Sequence, residues 1–249
     1  MKPFIRFFGN FNLIALIVAL SSTMSYATPS THIWAPSADI QTFMVMHLTS
    51  DIYVPLSPNK SGTFVSPVTN IGLTAGVLPF KKIQGEVGFD HIAGFGSADY
   101  YPIYFNAKVG IPEGALGSCF PAAAVGVYSV GTMTGSTDYN IMYGKIAKTF
   151  GHAGKFSLGY YSGNDKLLFD SMGNKDATGI MACWEKLITE ISDKLWIAVE
   201  YMGGGNSYGS LNFGISWAFS DKTSVLIGYN DYNNSSLPST YTIQTDVNF

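Results

Sequence analysis

The sequence predicts an all-β fold: a transmembrane antiparallel up-and-down β-barrel of about 12 strands. Three observations predict it. From residue 39 onward, segments of about ten residues alternate apolar with small or polar side chains. Charged residues make up only 12% of the chain, against about 25% in an ordinary soluble domain. Aromatic residues, 17 Phe and 15 Tyr among them, gather near the ends of the alternating segments, where rings with one polar edge suit a membrane–water boundary.

The first element is a targeting segment. Lys2 and Arg6 form a basic start, Leu13 to Leu20 an apolar run, and Ser25-Tyr26-Ala27 a small-residue cleavage pattern. The apolar run is shorter than the roughly 20 residues that a spanning helix needs. Cleavage after Ala27 leaves 222 residues with 12 lysines, no arginine and a net charge of −5. Domain boundaries follow: 1–27 a removed signal peptide, 28–38 a periplasmic N-terminal segment, and 39–249 an outer-membrane barrel. Residues 28–38 hold two prolines, which rule out a long helix, and one large apolar side chain, Trp34. That segment packs under the barrel, folds into its mouth or docks a partner.

Twelve strands are expected, at 40–54, 69–78, 83–93, 99–110, 120–130, 139–149, 155–163, 178–188, 195–203, 207–218, 224–233 and 241–249. In the last, Tyr241, Ile243, Thr245, Val247 and Phe249 share one face while Thr242, Gln244, Asp246 and Asn248 share the other. Connections after even strands tend to be short and those after odd strands longer. That is the pattern of periplasmic turns and extracellular loops. Ile191-Ser192-Asp193-Lys194 and Phe219-Ser220-Asp221-Lys222 are the same turn one hairpin apart. Gly203-Gly204-Gly205-Asn206-Ser207 joins two strands and reads as a tight outer turn. Cys119 and Cys183 fall three strands apart and are expected unbonded.

A soluble sandwich also alternates, but here the faces opposite the apolar ones carry isolated Glu, Asp, Lys and Asn among glycines. That combination describes a lipid-facing exterior and a wet interior. The candidate pore-lining residues are His47, Asp51, Glu86, Asp90, Tyr104, Asn106, Lys108, Lys145, Glu185, Glu200, Asn230 and Asp246. Glu86 and Lys108 lie on neighbouring strands and are expected to pair. Glu185 and Glu200 would repel each other if both faced inward at one level. Trp196, Trp217, Phe219 and Phe249 are expected at one membrane interface, with Tyr53, Tyr101, Tyr139, Tyr160, Tyr201, Tyr229 and Tyr241 at the other. Ile227 is expected to face lipid, so Ile227→Arg should be costly and Asn230→Lys far better tolerated.

Signatures of chemistry are missing from the sequence. There is no G-x-S-x-G, H-E-x-x-H or C-x-x-C pattern. The histidines are scattered, no metal set is visible, and His47 reads as a polar lumen residue rather than a catalytic base. No enzyme, cofactor or metal is expected. The acidic balance argues against nucleic acid.

The closing Asp246-Val247-Asn248-Phe249 resembles the C-terminal signature of bacterial outer-membrane β-barrels, the signal their assembly machinery reads. With His32-Ile33-Trp34-Ala35-Pro36-Ser37, Ile191 to Trp196 and Gly214 to Phe219, it resembles an uncharacterised Gram-negative outer-membrane family with no assigned activity. The resemblance implies location and fold, with outer-membrane lipid and the barrel assembly machinery as partners. Two functions are expected from the inward face. One is a small channel for passive diffusion of ions or polar solutes, weakly favouring cations because acids outnumber lysines and no arginine is present. The other is a filled, non-conducting barrel acting through its loops or N-terminal segment.

Overall fold

The computed structural model describes residues 30–59 and 61–249. The expected signal segment and its cleavage site lie outside the described residues. Twelve strands form one closed ring: β1 (Met46–Pro55), β2 (Val68–Gly76), β3 (Gln84–Ala93), β4 (Ile103–Ile111), β5 (Ala122–Gly131), β6 (Asp138–Thr149), β7 (Lys155–Ser162), β8 (Thr178–Leu187), β9 (Leu195–Met202), β10 (Ser210–Ser220), β11 (Thr223–Tyr232) and β12 (Thr240–Asn248). Each pairs antiparallel with its sequence neighbours, and β1 closes on β12. Met46 and Phe249 exchange two backbone hydrogen bonds of 2.9 Å at the seam. Closure satisfies every strand edge, which a chain in hydrocarbon requires.

Strand ends follow local chemistry. The first strand starts at Met46 rather than near residue 40, because Met44 takes φ +67° and Val45 N–H donates to Thr42 O in a turn. The fourth starts at Ile103 because residues 96–100 form a short 3-10 turn, with the Asp99 carboxylate accepting from Gly94 and Phe95 N–H. Between β5 and β6 the register shifts by one, with Ser129 (φ +52°) opposite both Tyr139 and Asn140 (φ +48°). Ser192 Oγ accepts from Lys194 N–H and Ser220 Oγ from Lys222 N–H, each at 3.2 Å, so the repeated sequence forms a repeated turn. Connections on the rim that carries both ends of the ring, the periplasmic rim, include the tight 150–154 and 221–222. The opposite rim carries the long loops 56–67 and 163–177. The turn at 112–121 is the long exception on the periplasmic rim. Cys119 and Cys183 are both free.

Alternation sorts the side chains. Ile52, Ile243, Ile227, Ile215 and Ile197 lie side by side across β1, β12, β11, β10 and β9. Phe89, Phe105, Val125, Met142, Ile146 and Leu158 extend the exposed apolar belt around the far side. A soluble monomer does not expose a continuous belt of this kind; in a bilayer it is the lipid face. Trp217, Phe219 and Phe249 are exposed at the periplasmic edge of the belt. Trp196 departs from the expectation. It lies 6% exposed on the inner face with Ala198 and Glu200, and its indole N–H donates to Glu185 at 3.0 Å. Tyr53 and Tyr139 also turn inward, Tyr53 two residues from Asp51 on the same face and Tyr139 against Tyr208.

Candidate functional site

The site is the lumen, and the N-terminal segment crosses it. The sequence leaves residues 28–38 to pack under the barrel, fold into its mouth or dock a partner; from Ser30 the described chain runs inside the barrel, with His32, Ile33 and 35–38 buried. Thr31 and Pro36 bridge antiparallel, His32 N–H donates to Ala35 O at 2.9 Å, and Ser37 N–H donates to Ser30 O at 3.1 Å. The result is a small hairpin with Ile33 and Trp34 at its tip. Proline at 36 breaks any helix, and the short hairpin leaves most backbone groups without partners of their own.

The wall supplies those partners. The Glu200 carboxylate accepts from three successive backbone N–H groups, those of Ile33 (3.3 Å), Trp34 (2.6 Å) and Ala35 (3.1 Å). Consecutive N–H groups of a turn form a concave anion site, here closed around a wall carboxylate. Asn212 Nδ2 holds the same carboxylate at 2.9 Å, and Asn230 Nδ2 holds Asn212 at 2.7 Å. Lys108 Nζ donates to the carbonyls of Ser30 (3.0 Å), Ser37 (3.4 Å) and Asp39, and pairs with Glu86 at 3.2 Å. Lys145 Nζ donates to Pro36 O at 2.9 Å. Gln41 N–H donates to Glu86 at 2.7 Å, and Gln244 Nε2 to Ile33 O at 2.7 Å. Lys155 pairs with Asp39, and His32 faces Glu185 at 3.7 Å.

An unpaired buried charge costs several kcal/mol, so each of these charges needs such a partner. Glu86 on β3 and Glu200 on β9 stand on opposite walls of a twelve-strand ring. A segment bonded to both spans the lumen.

At the outer end, Trp34 donates its indole N–H to Tyr208 O at 3.0 Å. Its ring stands edge-on to Tyr53 (5.2 Å) and Tyr232 (6.0 Å). Ile33 presses on the wall where it is glycine. A Cβ at Gly214 would lie 2.7 Å from Ile33 Cγ1, and one at Gly228 would lie 3.2 Å from Ile33 Cγ2.

The expected pore residues fall into three groups, with Tyr104 standing apart from them. Glu86, Lys108, Lys145, Glu185 and Glu200 converge on the hairpin, with Asn230 supporting Glu200 from behind. His47 pairs with Asp246 at 3.2 Å near the periplasmic rim, its Nδ1 2.9 Å from Asn248 Oδ1. Asp51, Asp90 and Asn106 form a separate patch on β1–β4, joined through Asn70 and Thr49. Tyr104 is buried on the inner face of β4. Glu86 and Lys108 pair as expected. Glu185 and Glu200 stand at different levels, since Glu200 opposes Cys183 and Glu185 opposes Ala198.

Sequence reasoning missed His32, Asp39, Gln41, Lys155, Asn70 and Tyr208 as members of the site. Nothing local marks them, because closure of the ring brings them together. Among the described residues no group of three or more His, Cys, Asp or Glu is placed to hold a metal ion.

No protein-family model and no curated protein matches the chain. Solved structures do match in shape. The KdgM porin aligns at 7% identity over 83% of this chain and 99% of its own, with a TM-score of 0.53. The KdgM porin in complex with disordered oligogalacturonate aligns at 7% over 83% and 99%, with a TM-score of 0.51. The NanC porin aligns at 10% over 81% and 98%, with a TM-score of 0.47. The first two likenesses, joined to the closed ring and its apolar belt, give this chain the fold of a bacterial outer-membrane porin-like barrel.

Proposed function

We propose that the protein is a small outer-membrane channel for passive diffusion of ions or small polar solutes, weakly favouring cations, with residues 30–41 held across its lumen. The observation that carries this reading is the Asp51–Asn70–Asp90–Asn106 patch, a half-buried polar strip on the inner wall that takes no part in holding the hairpin. Among the described residues neither Asp51 nor Asp90 makes an ion pair. A strip of carboxylates partnered only by amides and one hydroxyl attracts cations. Chemistry by the protein itself has no place in this reading.

The hairpin also favours a second reading, a filled barrel that does not conduct and acts through its loops. Planar-bilayer conductance of the refolded chain under a salt gradient decides between them. Unit steps with a cation-favouring reversal potential support the channel. A correctly folded barrel that stays silent supports the filled one.

A further inference from the structure

We infer that the lumen is a binding site for a peptide turn, and that residues 30–41 are its tethered, releasable ligand rather than a fixed part of the barrel. The consequence for transport rests on the channel reading above; the binding does not.

The ring closes without the hairpin. β1 is paired along its length with β2 and β12, and the backbone of the segment before it meets the sheet backbone at Gly76, through the Phe43–Gly76 bridge and the hydrogen bonds from Met44 N–H to Gly76 O and from Gly76 N–H to Val45 O. The wall grips the hairpin through its backbone. Glu200 takes three consecutive N–H groups, and Lys108 and Lys145 take carbonyls. The ligand class is therefore a short peptide that makes a tight turn with free N–H groups at its tip. Two features select its side chains. The notch at Gly214 and Gly228 admits an aliphatic residue, and the Tyr53–Tyr232 pair admits an indole after it.

The hairpin is also incompletely satisfied where it sits. Ser30 Oγ, His32 Nε2 and Gln41 Nε2 are buried without a hydrogen-bond partner. Such groups cost free energy inside and regain partners in water. On release of the hairpin, water entering the lumen would take over its contacts with Glu200, Lys108 and Lys145.

Cys183 reports on the hairpin. It is 5% exposed and lies in one cluster with Ile33, Trp196, Ala198 and Leu226, while the exposed Cys119 is removed by Cys119→Ser. The full chain is refolded in liposomes and treated with a membrane-impermeant maleimide. The folded band on an unheated gel is followed in parallel. Cys183 is expected to label while that band persists. Trp34→Ala should speed labelling by at least about tenfold, since ring contacts with Tyr53, Tyr208 and Tyr232 and an indole hydrogen bond are lost. Added synthetic peptide of residues 30–41 should restore protection to the Trp34→Ala protein, and the same peptide with Trp34→Ala should not.

Labelling only at the rate at which the folded band disappears would overturn the proposal. So would peptide that fails to protect. Labelling without conductance would sink the channel reading and leave this one standing; conductance with Cys183 silent would do the reverse.

Discussion

Ile227 projects from the middle of β11, 56% exposed, between Ile215 and Ile243 on its neighbours. An arginine there would carry its charge to the bilayer midplane. Ile227→Arg should cost about 2–4 kcal/mol in reversible folding into vesicles. An unchanged equilibrium would place that face away from lipid. Asn230, three residues on, is fully buried, and its amide holds Asn212, which holds Glu200. The expectation that Asn230→Lys is far better tolerated than Ile227→Arg takes the position as open to water; it is interior, but part of a hydrogen-bond chain. The lysine offers no acceptor to the Thr240 hydroxyl and adds a charge at a fully buried position. It should cost at least about 2 kcal/mol in the same folding measurement.

Among the elements, strands were legible because alternation has a period of two and each segment runs eight residues or more. The same parity places Trp196 inside with Ala198 and Glu200, and only its size suggested a membrane interface. Turns were legible where a side chain builds them. Ser192 and Ser220 each cap their own turn. Ser192→Ala and Ser220→Ala should each cost about 0.5–1.5 kcal/mol or less, as exposed neutral hydrogen bonds do. The two losses should add, because separate turns share no partner. A double variant that loses much more than the sum in urea titration would mean that the two turns fold as one unit. The hairpin of residues 31–36 was not legible. It is short and has no period, and its partners come from six or more strands that only ring closure brings together.

At the scale of the whole molecule, charge is divided by task. Lys108 and Lys145 are spent on the hairpin backbone and Lys155 on Asp39, while Glu86, Glu185 and Glu200 face them or the hairpin. Lys108 with Glu86 and Lys155 with Asp39 cancel in pairs, and the opposite charges of Lys145 and Glu200, both on the hairpin backbone, offset in sum, so in the proposed channel the uncompensated charge is that of Asp51 and Asp90 on the β1–β4 wall. Their amide partners Asn70 and Asn106 orient the carboxylates without cancelling their charge. Replacing Asp51→Asn together with Asp90→Asn keeps the size of both side chains and removes two charges from that wall. In planar bilayers under a tenfold salt gradient, the double variant should move the reversal potential toward zero while the unit conductance changes less. The shift should shrink as total salt rises, because a Debye length of about 10 Å at 0.1 M falls to about 3 Å at 1 M. A reversal potential that the double variant leaves unchanged would mean that ions cross by a route lined by other residues, the hairpin's own contacts with Glu86, Lys108 and Glu200 being the first to test.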